Sequence, residues 1–192
     1  MKNTKLYKQE IEIKLKVVNP RLIHQKLKDI GAKFFGKVFE RTVRFDTSDK
    51  NLEKRGKFLR IRTGFENTVT FKQKFDNKKF KERKEIELEI SDPDKMRMVF
   101  ESLGFKKIKI MEKYREKWQF GNTEIVIDKL PMGNFIEIEG EKRKIKEMVK
   151  ILGLNFKDRI IATYWDLWKE FSKKEGIRNE NIIFPSIKKN KN

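Results

Sequence analysis

The 192-residue chain contains no cysteine. That excludes disulfides, zinc–thiolate centres and thiol nucleophiles. It has no apolar run near the roughly 20 residues that cross a bilayer as a helix. Its N-terminus lacks the apolar centre of a secretion signal. The expectation is a soluble, cytoplasmic protein with no membrane partner. Histidine is reduced to His24, which falls on a predicted helix and reads as surface, not as a catalytic base. Acids are scarce as well: 29 Asp and Glu stand against 48 Lys and Arg, a net charge of +19. A strongly basic protein attracts polyanions, whether nucleic acid, anionic membrane or phosphorylated small molecules. Lys- and Glu-rich composition is also common in proteins from hot environments. Composition therefore leaves the partner open, and the placement of the few acids carries the information.

What is present supports one domain with a tail. Hydrophobic residues make up 37%, and 16 Phe supply large side chains for a core. "KQEIEIKLKV" (8–17) puts a charge on every second residue from Glu10 to Lys16 and aliphatics between them. That alternation predicts a strand over 7–17, because successive strand side chains point to opposite faces. Asn19-Pro20 opens a helix that Gly31 ends. Residues 33–46 read as extended and "SDKNLEKRG" (48–56) as a loop or short helix. "KFLRIRTG" (57–64) and "TVTFKQK" (68–74) alternate again and form a predicted hairpin, followed by a turn at 76–79. "ERKEIELEI" (82–90) sets Glu85, Glu87 and Glu89 against Ile86, Leu88 and Ile90. Residues 91–104 form a helix with a cap at Ser91 or Asp92 and Pro93 in its first turn. Strands follow at 108–120, 123–130 and 134–140, and helices at 141–153 and 162–171. Residues 1–171 make the domain and 172–192 the tail, in which "IIFP" docks and "KKNKN" is expected to be disordered.

Two halves resemble each other. Each runs strand, helix opened near a Pro, then "GAKF" (31–34) or "GFKK" (104–107), then long strands. Such a repeat points to a pseudo-symmetric antiparallel sheet able to close on itself. At least six strands carry charge on one face only. Arg60, Arg62 and Lys72 include no acid, and Asp128, Glu137 and Glu139 include no base. Segregation of this kind raises Coulomb repulsion unless counter-charge lies between the groups. Divalent cations would suit the acids, and phosphates would suit the Arg and Lys side chains. Each short alternation is ordinary alone, but together they fit a barrel with aliphatics packed outward on helices and charges lining the interior. The aromatics of "YWDLW" (164–168) read as core.

These residues resemble the CYTH superfamily, the triphosphate tunnel proteins, and within it the class IV adenylate cyclase-like branch. The resemblance spans roughly 7–184. "EIEIK" (10–14) matches the family's E-x-E-x-K, and "FLRIR" (58–62) its R-x-R strand. "TFK" (70–72), "ERKEIE" (82–87), "EKYREKW" (112–118) and "TYWDLW" (163–168) follow in order. "IVIDKLPMGNFIEIEG" (125–140) is the most specific piece. Arg44 in "VRFDT" departs from the pattern, where relatives often have an aromatic; at most it adds a phosphate contact.

The resemblance implies an α+β fold: an antiparallel eight-stranded β-barrel, a tunnel with helices packed outside and a triphosphate within. It implies Glu10, Glu12, Asp128, Glu137 and Glu139 as ligands for Mg²⁺ or Mn²⁺, hard cations that prefer oxygen. Lys14, Arg60, Arg62, Lys72, Lys113 and Arg115 would grip phosphate, the Arg forks bidentately. Lys14, Glu85 and Glu87 are the catalytic candidates, the two acids by orienting the basic groups or the nucleophile. Two reactions stay open: cyclisation of ATP to cyclic AMP and pyrophosphate, and hydrolysis of inorganic, thiamine or nucleoside triphosphate. A non-enzymatic polyphosphate or RNA binder is the third reading. The expected partner is a small-molecule triphosphate, with room for a homodimer. Nucleic acid is disfavoured, because no sheet face combines aromatics with bases and the acid cluster would repel a backbone.

Overall fold

The computed structural model describes residues 11–74 and 83–185. Glu10, the turn expected at 76–79 and the "KKNKN" end lie outside the described residues. The element order is β1 (Glu12–Val17), α1 (Pro20–Asp29), β2 (Lys33–Asp46), α2 (Asn51–Lys54), β3 (Lys57–Thr63), β4 (Thr68–Lys74) and β5 (Arg83–Glu89). It continues with α3 (Pro93–Ser102), β6 (Lys106–Phe120), β7 (Thr123–Leu130), β8 (Gly133–Glu139), α4 (Lys142–Ile151), a 3₁₀ turn at Phe156–Asp158 and α5 (Tyr164–Lys174). Helix starts follow the capping chemistry. Asn19 and Asp92 accept backbone N–H groups at the entries of α1 and α3, each with Pro in the first turn. Thr163 and Asp166 form a reciprocal capping box on α5.

One antiparallel sheet holds all eight strands in the order β1-β8-β7-β6-β2-β3-β4-β5. Among the described residues no ladder joins edge strand β1 to edge strand β5, so the eight strands of the expected barrel are present but its closure is not seen. At the outer edge of β1, Ile160 N–H in the segment leading into α5 donates to the Lys14 carbonyl at 2.7 Å. The strand order reads the same from both ends if β1–β4 are exchanged for β5–β8. The two halves seen in the sequence thus flank the central pair of long strands, β2 and β6.

The aliphatic faces pack outward. Leu15, Val17, Ile125, Ile127, Ile136 and Ile138 meet Ile23 and Leu27 of α1 and Ile145, Met148, Val149 and Leu152 of α4. Phe45, Leu59 and Ile61 pack with Phe100 of α3. Helix α5 sits on the other face, at one end of the sheet. There Tyr164 and Trp168 pack against Met111, Leu130, Met132 and Phe135. The chain then returns to β6, with Ile182 fully buried and its N–H donating to the Ile110 carbonyl at 2.9 Å. Fully burying an Ile side chain stabilises by about 1.5–3 kcal/mol, which ties this segment of the tail down.

Candidate active site

The charged faces of both halves meet in a cavity of about 240 Å³. Edge strands β1 and β5 both contribute to it, so the open sheet curls far enough to bring them to one space. Seven carboxylates line it: Glu12, Glu66, Glu85, Glu87, Glu124, Glu137 and Glu139. Four cations, Arg60, Arg62, Arg115 and Lys117, and the apolar Val126 complete the wall.

Register explains the wall. On one side β1, β8, β7 and β6 lie next to each other. Lys14 opposes Glu137, and Arg115 opposes Asp128. Asp128 is fully buried and accepts from Arg115 at 2.7 and 2.6 Å, from Lys113 at 3.1 Å and from the Tyr164 hydroxyl at 2.9 Å. Burial works to raise its pKa, but Arg115 and Lys113 outweigh burial and hold the carboxyl well below the usual carboxylate range. Arg115 also donates to Glu137 at 2.6 Å, and Lys113 pairs with the buried Glu40 at 3.1 Å. Burial works against the Arg115 charge, yet Asp128 and Glu40 push its pKa up. For Glu40, burial is likewise overcome, by Lys113 and then Arg115, and its pKa is lowered. Lys14 pairs with Glu137 at 3.4 Å and lies 3.9 Å from the centre of the Tyr164 ring.

The other side is built by β3, β4 and β5. Arg60 donates to Thr70 at 3.1 Å and lies 3.7 and 3.6 Å from Glu85 and Glu87. Arg62 meets Glu87 at 3.1 Å, Thr70 donates to Glu87 at 2.7 Å, and Lys72 pairs with Glu85. Burial works to raise the Glu87 pKa, but Arg62 and the Thr70 hydroxyl lower it overall. Burial, followed by repulsion from Arg62, lowers the Arg60 pKa from its very high ordinary value.

The segregation by strand seen in the sequence is therefore balanced across strands. Acidic β5 lies beside basic β4, and the acids of β7 and β8 lie beside the bases of β6 and β1. The repulsion expected of it is offset within the protein, by the acids and bases of neighbouring strands as well as by any ligand. One row sets acid against acid: Glu12 opposes Glu139, which opposes Glu124, three carboxylates across three neighbouring strands, with Lys117 2.9 Å from Glu124. Like charges directly opposite are destabilising.

The CYTH domain family matches residues 8–157. A protein of Methanocaldococcus jannaschii named putative adenylate cyclase MJ0240 is 37% identical over 163 residues, 79% of this chain and 93% of that protein. This chain is a CYTH protein. Solved structures share the fold. A putative adenylate cyclase from Vibrio parahaemolyticus superposes with a TM-score of 0.74 at 20% identity, covering 85% of this chain and 99% of its own. The PH1012 protein of Pyrococcus horikoshii gives a TM-score of 0.67 at 29% identity, covering 81% and 96%.

Within this CYTH chain, the cavity gathers Glu12, Arg60, Arg62, Glu85, Glu87, Arg115, Glu137 and Glu139. Lys14, Lys72, Lys113 and Asp128 do not line it. They lie buried behind the wall in ion pairs, with Asp128 holding Arg115 in place. Glu10 lies outside the described residues. Five contributors escaped the sequence reading. Lys117 and Glu124 continue the parity of Arg115 and Asp128, so extending each alternation by one step would have found them. Glu66 sits in a turn and Glu40 on a strand with no charge alternation. Tyr164 is core, as read, but its hydroxyl also serves Asp128.

Carboxylate oxygens are the donors a hard cation prefers, and seven carboxylates line the cavity. Glu85 and Glu137 are also paired with the buried Lys72 and Lys14. Among the described residues, no three such groups converge closely enough to hold a metal ion.

Proposed function

We propose that this CYTH protein is a divalent-metal-dependent enzyme that binds a triphosphate in the cavity and catalyses displacement at phosphorus. The observation that carries the proposal is the wall itself, where Arg60, Arg62 and Arg115 are each fixed by carboxylates and share one cavity with Glu12, Glu124 and Glu139. Pinned guanidiniums lose little freedom when they bind phosphate oxygens, and charge stabilisation by preorganised groups dominates phosphoryl transfer. Arg115 is oriented by Asp128, and Asp128 in turn by Lys113 and Tyr164. Glu87 is held ionised, so it orients Arg60 and Arg62 and serves poorly as a proton acceptor. Glu85 orients Lys72 through their ion pair. Glu12, Glu137 and Glu139 are the residues that would hold Mg²⁺ or Mn²⁺. When bound, the metal would neutralise phosphate charge and stabilise attacking or leaving oxygen.

The first reading of the reaction is cyclisation of ATP, which the 37%-identical relative's name supports. The second is triphosphate hydrolysis, which the wall favours. About 240 Å³ lies below the roughly 300–1,000 Å³ of ordinary small-molecule pockets, and among the described residues no aromatic ring lines it. A cavity of this size and charge suits the polyphosphate better than a nucleobase. Incubation with Mg²⁺ or Mn²⁺ and ATP, and separately with inorganic triphosphate, tests both. Cyclic AMP with pyrophosphate supports the first; orthophosphate alone supports the second. No turnover of either substrate, with tight RNA retention, would reject both.

A further inference from the structure

The departure at Arg44 has a structural counterpart outside the cavity wall. On the inner face of β2, Arg44 opposes Lys109 of β6 on one side and Arg60 of β3 on the other, placing three cations in one row. Arg60 is matched by Glu85 and Glu87. Arg44 and Lys109 pair with no carboxylate among the described residues. Asp46 and Glu53 act on Arg44 only at longer range, and the Asp46 oxygens already accept the N–H groups of Thr47, Leu52 and Glu53.

Aromatic rings hold the two cations instead. The Arg44 guanidinium lies 5.3 Å from the Phe58 ring centre and 6.0 Å from that of Trp165, and the Lys109 ammonium lies 5.9 Å from Trp165. These contacts fix the cations without neutralising them. Two polar atoms on the same strand face are also buried without a hydrogen-bond partner: Arg44 Nε and Thr42 Oγ1. Thr42 is two residues from Arg44, so both side chains point to the same side of the sheet. Buried polar groups are nearly always satisfied, and an orphan in a native structure asks for a ligand or another explanation.

We propose that Thr42, Arg44 and Lys109, walled by Phe58 and Trp165, form a second anion seat that takes a single phosphate-class oxyanion. An oxyanion would accept from Arg44, Lys109 and the Thr42 hydroxyl, and would offset the repulsion between the two cations. The seat stands on these contacts alone and does not depend on what the cavity binds.

Orthophosphate titrated into the full-length protein, followed by tryptophan fluorescence, tests the proposal. Trp165 reports on the seat, and Trp165→Phe identifies its share of the signal. The expected result is a saturable change that Arg44→Leu weakens at least tenfold and that Arg60→Gln, a cavity variant, retains. Lys109→Met should weaken it as well, and stands in if Arg44→Leu fails to fold. Binding unchanged in both Arg44→Leu and Lys109→Met overturns the seat. So does a signal lost in Arg60→Gln, which would place the phosphate in the cavity. Absence of any saturable signal in the wild type also overturns it.

Discussion

Replacing Asp128 with Asn should do more damage than any other single change in the charged network behind the cavity wall. The side chain is fully buried and accepts four hydrogen bonds, two from Arg115 and one each from Lys113 and Tyr164. An Asn of the same size keeps the shape but removes the charge. Two buried cations would then share Glu40 and Glu137 alone. Breaking a buried ion pair by removing one partner costs about 3–5 kcal/mol, and the remaining acids place Asp128→Asn near the lower end. With a urea m-value of about 2 kcal/mol/M, a loss of about 3 kcal/mol moves the unfolding midpoint down by about 1.5 M. The pH dependence gives a second check. The folded-state pKa of Asp128 is depressed. Its contribution is therefore complete above the unfolded value near 3.9, and is lost as pH falls through the folded value. The gap between wild type and Asp128→Asn should be full at pH 7 and narrow steadily below about pH 4. A midpoint within about 0.3 M of wild type at pH 7, or a gap that stays constant down to pH 2, would refute the reasoning.

Other outcomes follow from the same geometry. Arg60→Ala should weaken inorganic triphosphate binding by about 1.5–3 kcal/mol, the range for a hydrogen bond to a charged group, as read by calorimetry; unchanged affinity would remove Arg60 from the site. Glu137→Gln should lose metal-dependent turnover while keeping a cooperative melting transition, and full activity would reject Glu137 as a metal ligand. Ile182→Ala should lower stability by about 2–5 kcal/mol in chemical unfolding, because the side chain is fully buried against β6; a value near zero would show that this part of the tail is not anchored.

The residues that alternate were easiest to read. Arg60 and Arg62, Glu85 and Glu87, and Glu137 and Glu139 all stand on the inner face that their spacing implied. Alternation reports the face and not the depth. Lys14, Lys72, Lys113 and Asp128 share that face but sit behind the wall, because strand register and the seat of α5 decide what covers them. Glu40 was illegible for the same reason. Nothing near it alternates in charge, and only the pairing of β2 with β6 brings it to Lys113. The contact on the outer edge of β1 was illegible too. It turns on backbone groups at Lys14 and Ile160, which leave no mark in side-chain pattern. The weak repeat was legible because it concerns whole elements, and these survive as the symmetric strand order.

The hold of β1 on its neighbours has a consequence for synthesis. Of the eight strands β1 is made before its ladder partner β8 and before the Ile160 contact, with most of the sheet between them in the chain. Until then the nascent chain can assemble β2–β5 from local hairpins, while Glu12 and Lys14 wait without their mates. Pairings so distant along the chain slow folding, since loop closure precedes any reward. A product truncated before residue 133 would lack β8 and leave the edge of β1 that pairs with it open.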